Sequence, residues 1–336
     1  MEKKALTSIL LTVTLFCILN FVSLFATKAS AETITLKAVS AWPKNAVEVA
    51  DDYIPFINAA NEFLEKKYPG ELKINYLGGP EVVPTMDQPE AIRMGTFDML
   101  FGTAAYYAGI APAANVGKLS QLDSIEEKQK GADAIFDKIH REKLNAAYLG
   151  RLGSEIQFQL YTIKPVKTMS DIKGLRIRTS AMYIDFIKAL DAIPSQISPG
   201  DVYQALERGV VDGYMWPLFS IRPWGWQEVT KYVVGPPFYK VVHPILVNAK
   251  RWDSIPRHLQ DAIIVVMVRE AAASDERSVE NMRKEPEILK QAGLEIVPFS
   301  SEDEARYLDM AYSSGWEGQL KMETEYTSQL RKILSR

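Results

Sequence analysis

The sequence predicts an α/β protein built as two lobes, and three observations carry that expectation. Strand and helix patterns alternate as βαβαβ from Glu32 to Tyr107, the grammar of an α/β layer. A second set of short strands and helices begins near residue 145. After it, "YKVVHPILVNAKRW" is a β-rich segment without glycine that could cross back to the first set, and long helical patterns close the chain.

The elements follow in order. Lys3 and Lys4 precede an apolar run from about Ala5 to Phe25, and Ala29-Ser30-Ala31 has the small-x-small form of a cleavage site. Residues 1–31 therefore read as a signal peptide cut after Ala31. "ETITLKAVSAWP" alternates as a strand ending at Ser40–Pro43. "VEVADDYIPFINAANEFLEKKYPG" is an amphipathic helix stopped by Gly70 after Lys66 and Lys67. "ELKINYLG" is a strand, "MDQPEAIRMGT" a helix and "FDMLFGTAAYY" a strand running into a loop, which suggests a largely parallel sheet.

In the second set "NAAYLGRLG", "IQFQLYT" and "GLRIRT" read as strands, "AMYIDFIKALDAI" as a helix, and "ISPGDVYQALERGVVDGYMW" as a helix followed by a strand. The last patterns, "PRHLQDAIIVVMVREAAASDERSVENMRKEPEILKQAG" and "SSEDEARYLDMAYSSGWEGQLKMETEY", are helical, and Ser301 with Glu304 reads as a capping box. The expected organisation is lobe one over 32–150 plus 242–283, and lobe two over 151–241 plus 284–336 with wrapping C-terminal helices. Clefts between such lobes, beyond the carboxyl ends of strands, are favoured small-molecule sites. Trp42, Tyr106, Arg178 and Trp216 all fall at or just past predicted strand ends.

Composition narrows the function classes. Cys17 is the only cysteine and leaves with the leader, so the mature chain has neither disulfide nor thiolate ligand. About 305 residues must then be held by their cores alone, in one to three domains. The leader's lysines against Glu2 make a net +2, so the whole-chain charge of -3 leaves about -5 for the mature part, which gives no basis for nucleic-acid binding. His140, His243 and His258 are the only histidines, and HExxH and GxSxG are absent. "GTFDM" and "LGGP" are too poor in glycine for a phosphate loop, and the carboxylates are spread over helices. Nothing asks for a catalyst, a metal or a cofactor.

In "KGLRIRTSAMY", Arg176 and Arg178 sit two apart on a short strand, hence on one face. An unpaired guanidinium is rarely buried. The stretch "DIKGLRIRTSAMYIDFIKALDAIPSQISPGDVYQALERGVVDGYMWP" carries Tyr203, Ala205, Leu206, Gly209, Val211, Asp212 and Gly213 in a Tyr-x-Ala-Leu-x-x-Gly-x-Val-Asp-Gly arrangement. With "LGGPEVVPTMDQPEAIRMGTFDML" and "NAKRWDSIPRHLQDAI" it resembles, in order over nearly the whole mature chain, the DctP-type extracytoplasmic solute-binding subunits of TRAP transporters.

That resemblance implies a two-lobed periplasmic-binding-protein fold with hinge strands, no enzymatic activity, and a small organic acid as ligand. It implies small and large membrane permease subunits as partners of a monomeric receptor; the other readings are an input module for a membrane sensor and an exported hydrolase. By the family pattern, Arg178 holds the ligand carboxylate, a bidentate match for a guanidinium fork, the other reading being an internal salt bridge. Arg176 is expected to be solvated or surface-paired. Trp216 implies an apolar wall or a core tryptophan. Met215 stands where some members carry a glutamate that binds a bridging cation; a thioether is a poor ligand for hard cations, so direct binding without metal is expected. Gln157 matches a polar cleft position of keto-acid-binding members. Phe158 stands where members for larger sugar acids have a second arginine, which points to a small monocarboxylate. Trp42 and Tyr106 stand at positions that imply ligand contact, the other reading being packing, and Tyr239 and His243 border the crossing segment, where the readings are ligand contact or hinge lining.

Overall fold

The computed structural model describes residues 32–335, so the expected signal peptide and Cys17 lie outside the described residues. β1 (Ile34–Ser40) leads through a π-helical turn at Glu48–Tyr53 into α1 (Ile54–Lys67) and β2 (Leu72–Gly78). Asn61 on α1 fastens β2 by bonding both the N–H and the carbonyl of Ile74, at 2.8 and 2.9 Å. α2 (Gln88–Met94) ends on Gly95 in the left-handed region, which a glycine adopts without strain. β3 (Met99–Phe101) runs into 3-10 turns at Ala104–Tyr107 and Pro112–Leu119, followed by α3 (Ser124–Gln129), α4 (Ala132–Leu144) and β4 (Ala146–Leu152).

The chain continues through β5 (Gln157–Thr162), β6 (Arg176–Thr179), α5 (Ile184–Ala189), β7 (Ile193–Gln196), α6 (Val202–Glu207) and β8 (Gly213–Pro217). β9 (Tyr232–Lys240) and β10 (His243–Asn248) are followed by α7 (Ala249–Asp253), α8 (Arg257–Gln291), β11 (Glu295–Val297), α9 (Ser301–Met322) and α10 (Glu325–Leu334). Two mixed sheets result, one ordered β2-β1-β3-β10-β4 and one ordered β11-β9-β5-β8-β6-β7.

Two details differ from the sequence expectation. The first sheet is mixed: β1, β3 and β4 run the same way, but β10 lies antiparallel between β3 and β4. A strand returning from the other sheet enters from the opposite end, so its direction is set by the crossing. β4, the first strand of the second set in sequence, is accordingly an edge of the first sheet. The cap of α9 also shifts by one residue. Ser300 is in extended geometry and its hydroxyl accepts the Asp303 N–H, so Ser301 is already helical.

The chain passes between the sheets at Gly153–Ile156 and again at Val241–Val242, and the two passages are tied by Val241 N–H to the Ile156 carbonyl at 2.9 Å. Arg151 bonds the Val241 carbonyl and pairs with Glu127, and Lys240 pairs with Glu155 at 2.6 Å. α8 packs against β4 of one sheet and β11 of the other. α9 packs on α5, and both α9 and α10 pack on the 3-10 turn at Pro112–Leu119, so the C-terminal helices bind both sheets together. No helix among the described residues is long and apolar enough to cross a membrane.

Candidate functional site

β6 brings its two arginines to different ends of one face. Arg176, at the start, meets Asp212, which precedes β8: Nε donates to Oδ2 at 2.9 Å and Nη2 to Oδ1 at 3.1 Å. Lys164 reaches the same carboxylate at 2.8 Å. The Arg176 hydrogen bonds hold the Asp212 carboxyl well below the usual carboxylate range. Arg176 is thus spent on Asp212 at the start of β6.

Arg178 is the penultimate residue of β6 and is 2 % exposed. Its Nε donates to the Ile197 carbonyl at 2.9 Å and Nη1 to the Tyr183 hydroxyl at 3.2 Å, while Tyr183 donates to the Met215 carbonyl. The guanidinium carbon lies 5.1 Å from the centre of the Trp216 ring. Among the described residues no carboxylate lies within ion-pair distance of it. A guanidinium offers five N–H donors, so this buried cation keeps donors for an incoming acceptor.

The opposite wall comes from the first sheet. Trp42 follows β1, and its carbonyl sits against Gly79, where a Cβ would collide with it; "LGGP" needs glycine there for that approach. Thr103 starts the 3-10 turn that carries Tyr106, its hydroxyl accepting the Ala105 N–H. His243 opens β10 with its ring 4.8 Å from that of Trp42, and Tyr106 stands 6.2 Å from Trp42. Burial pushes His243 down to about 3 and Tyr106 up to about 12, so both are neutral at ordinary pH.

Between the walls lies a cleft of about 730 Å³, lined by Trp42, Tyr106, Arg178, the segment Gln196–Gly200 and Trp224, and richer in apolar than polar surface. Behind it a chamber of about 30 Å³ is lined by Trp42, Glu48, Tyr106, Arg178, Trp216 and His243. Of the residues expected from sequence, Arg178, Trp216, Tyr106, Trp42 and His243 therefore meet at one place.

Gln157, Met215 and Tyr239 do not line these spaces. Gln157 starts β5 beside Lys240, and Met215 is fully buried in β8. Tyr239 has φ 33° and donates its hydroxyl to the Ala311 carbonyl, locking α9 to β9. No group of three metal-ligating side chains occurs among the described residues.

Sequence reasoning passed over Glu48 and the Gln196–Gly200 segment, and it took Tyr183 and Trp224 only as part of the aromatic stretches "MYIDF" and "PWGW" that make the neighbourhood apolar. Glu48 reads as one more polar residue of an amphipathic helix, yet it is 3 % exposed, and burial pushes its carboxyl up to about 7, with Asp52 and Asp51 adding to the rise. The one local signal was a glutamate placed between Val47 and Val49.

The model of bacterial extracellular solute-binding protein family 7, DctP, matches residues 48–313. The chain is 26 % identical over 249 residues to the 2,3-diketo-L-gulonate-binding periplasmic protein YiaO of Escherichia coli K12, covering 70 % of this chain and 74 % of that one. It is 23 % identical over 285 residues to the monocarboxylate 2-oxoacid-binding periplasmic protein all3028 of Nostoc, covering 82 % and 76 %. Its fold is similar to that of a TRAP periplasmic solute-binding protein of Desulfovibrio salexigens with bound orotic acid, at TM-score 0.78 and 19 % identity over 90 % of this chain and 97 % of the other. A Rhodoferax ferrireducens protein of the same kind with bound malonate gives TM-score 0.76 at 18 % identity, over 89 % and 96 %. The chain belongs to the family-7 bacterial extracellular solute-binding proteins, the DctP family of TRAP solute-binding proteins, and is a binding protein rather than an enzyme.

Proposed function

We propose that the protein is a periplasmic receptor that captures a small monocarboxylate in the cleft and delivers it to TRAP membrane permease subunits. The observation that carries this reading is Arg178: a guanidinium withdrawn from water, bonded to a carbonyl and a phenol, facing a cleft with no carboxylate within ion-pair distance among the described residues. A buried charge without a counterion is costly, and a carboxylate accepting two charge-assisted hydrogen bonds relieves that cost. The names of the relatives support an acid ligand: diketogulonate and 2-oxoacids for two, orotate and malonate in two solved structures.

Trp42, Tyr106 and Trp216 supply the apolar walls that exclude water from the ion pair. With Met215 sealed in β8 and no group of three metal-ligating side chains among the described residues, the acid binds directly and without a bridging cation. The lobes, 32–150 plus 242–283 and 151–241 plus 284–336, close on the acid by turning about the paired crossings at Gly153–Ile156 and Val241–Val242, a population shift stabilised by the ligand. A leader ending at Ala31 exports the chain.

The test is a thermal-shift screen over monocarboxylates, keto acids, dicarboxylates, sulfonates and aromatic acids, run on the wild type and on Arg178→Ala. A ligand at a thousand times its Kd adds about 4 kcal/mol to stability, a clear rise in Tm that Arg178→Ala abolishes. If the strongest hit were a neutral solute and Arg178→Ala bound it equally well, the reading would be wrong.

A further inference from the structure

Resting on that reading of the cleft, we propose that Glu48 reads the carbon next to the ligand's carboxylate, its carboxyl meeting a hydroxyl or oxo oxygen that enters the inner chamber. Glu48 comes from the turn before α1 and Arg178 from the end of β6, yet both line the same chamber of about 30 Å³. The Tyr106 phenol stands within the electrostatic reach of both. A site for one water needs roughly 10–15 Å³, so the chamber has room for two or three water-sized groups, enough for a hydroxyl or oxo oxygen and too little for a ring. His243, 4 % exposed and lining the chamber, has an Nδ1 with no hydrogen-bond partner among the described residues, a second polar atom awaiting an occupant.

The groups around Glu48 decide how it reads. Asp51 and Asp52 belong to its own turn, and Asp52 is held by Ser274 and Arg277 of α8. Arg178 faces the chamber from β6, Tyr183 from the segment before α5, Tyr106 from the 3-10 turn and His243 from β10, with Ser220 beside the carboxyl after β8. His243 at about 3 and Tyr106 at about 12 keep one charge state near neutral pH, and Asp52, raised to about 6 by burial, is turned toward α8. Glu48, near 7, is the group that changes charge there.

A hydroxyl both donates and accepts, so it suits Glu48 in either state. An oxo oxygen only accepts, so it needs the protonated carboxyl and is repelled by the ionised one. The chamber therefore takes 2-hydroxy acids over a broad pH range and 2-oxo acids only where Glu48 holds its proton.

The experiment is isothermal titration of wild type, Glu48→Gln and Glu48→Leu between pH 6.5 and 8.5. The probes are lactate, pyruvate and propionate, and the larger set phenyllactate, phenylpyruvate and 3-phenylpropionate, with Tm recorded to establish that each variant is folded. In the wild type the 2-oxo acid should lose roughly tenfold or more in affinity across that range, the protonated fraction falling about tenfold per pH unit above the pKa, while the 2-hydroxy acid changes less than threefold. Glu48→Gln, a permanent donor, should hold the 2-oxo acid with a flat profile, and Glu48→Leu should weaken both substituted acids toward the parent acid.

A Glu48→Gln profile superimposable on the wild type, or a parent acid that falls as steeply as the 2-oxo acid, overturns the role of Glu48 while leaving the cleft's reading intact, provided that Arg178→Ala still abolishes binding. If no acid binds and Arg178→Ala behaves as the wild type, the reading of the cleft falls and this proposal with it.

Discussion

Replacing Arg178 by methionine should separate binding from folding. The substitution keeps an unbranched side chain of similar reach and removes the charge and its donors. In the ligand-free protein it deletes the hydrogen bonds to the Ile197 carbonyl and the Tyr183 hydroxyl. Bonds from a charged donor are worth about 1.5–3 kcal/mol each. Against that loss, the guanidinium is no longer withheld from water without a counterion, a cost of several kcal/mol for a buried ion. The two contributions are of like size, so unfolding in urea should give a stability within about 2 kcal/mol of the wild type at unchanged m value. The acid complex behaves differently, because removing one partner of a desolvated charge pair costs about 2–5 kcal/mol, or roughly 30- to 5,000-fold in Kd. Titration of the best acid from the screen against both proteins supplies that number. An apo protein destabilised by more than about 3 kcal/mol, with affinity reduced less than tenfold, would make Arg178 a structural group and refute the reasoning.

Three further outcomes follow from local geometry. Ser300→Ala should cost about 1 kcal/mol through loss of the α9 cap, whereas Ser301→Ala should change stability by a few tenths at most; urea denaturation distinguishes them. Gly213→Ala places a Cβ against the Tyr161 carbonyl and 3.0 Å from Thr162 Cγ2, where β5 and β8 pair. It should cost about 3 kcal/mol and lower Tm, and a neutral effect would mean that the two strands can part freely. His140 donates Nδ1–H to the Phe136 carbonyl and accepts at Nε2 from Tyr107, and burial pushes it down to about 4. The unfolded chain takes up that proton below pH 6.5 and the folded one only near 4, so stability present at pH 7 is lost as pH falls between those values. Glu48 and Asp52, raised by burial, act in the opposite sense, so the quantity to measure is the difference between wild type and His140→Phe. The wild type should lose about 2 kcal/mol more than the variant from pH 7 to 5.

Strands and helices were legible where a period held over several residues. The crossing segment could be recognised because "YKVVHPILVNAKRW" is a long β-rich run without glycine. Its direction was not legible, since local sequence does not say from which end a strand enters a sheet. The α9 cap was misplaced by one residue because Ser300 and Ser301 are chemically equal and only the extended backbone at Ser300 separates them. Tyr239 lay beside the crossing in sequence and so resembled a cleft residue, but a left-handed backbone turns its hydroxyl to α9.

The two arginines of β6 divide local from tertiary information most plainly. Residue type, strand pattern and the two-residue spacing establish that two guanidiniums share a face near the end of a strand, and they hold for any fold containing that strand. Which one is paired depends on Asp212, thirty-odd residues later, being brought to Arg176 when β8 lies down beside β6. Which one is buried without a counterion depends on Ile197, Tyr183 and Trp216 closing over Arg178. Glu48 follows the same rule: its burial beside His243 and Arg178 comes from three distant segments meeting at one chamber. Charge and polarity are properties of a residue, but their cost is set by the water and partners that the folded chain removes or supplies.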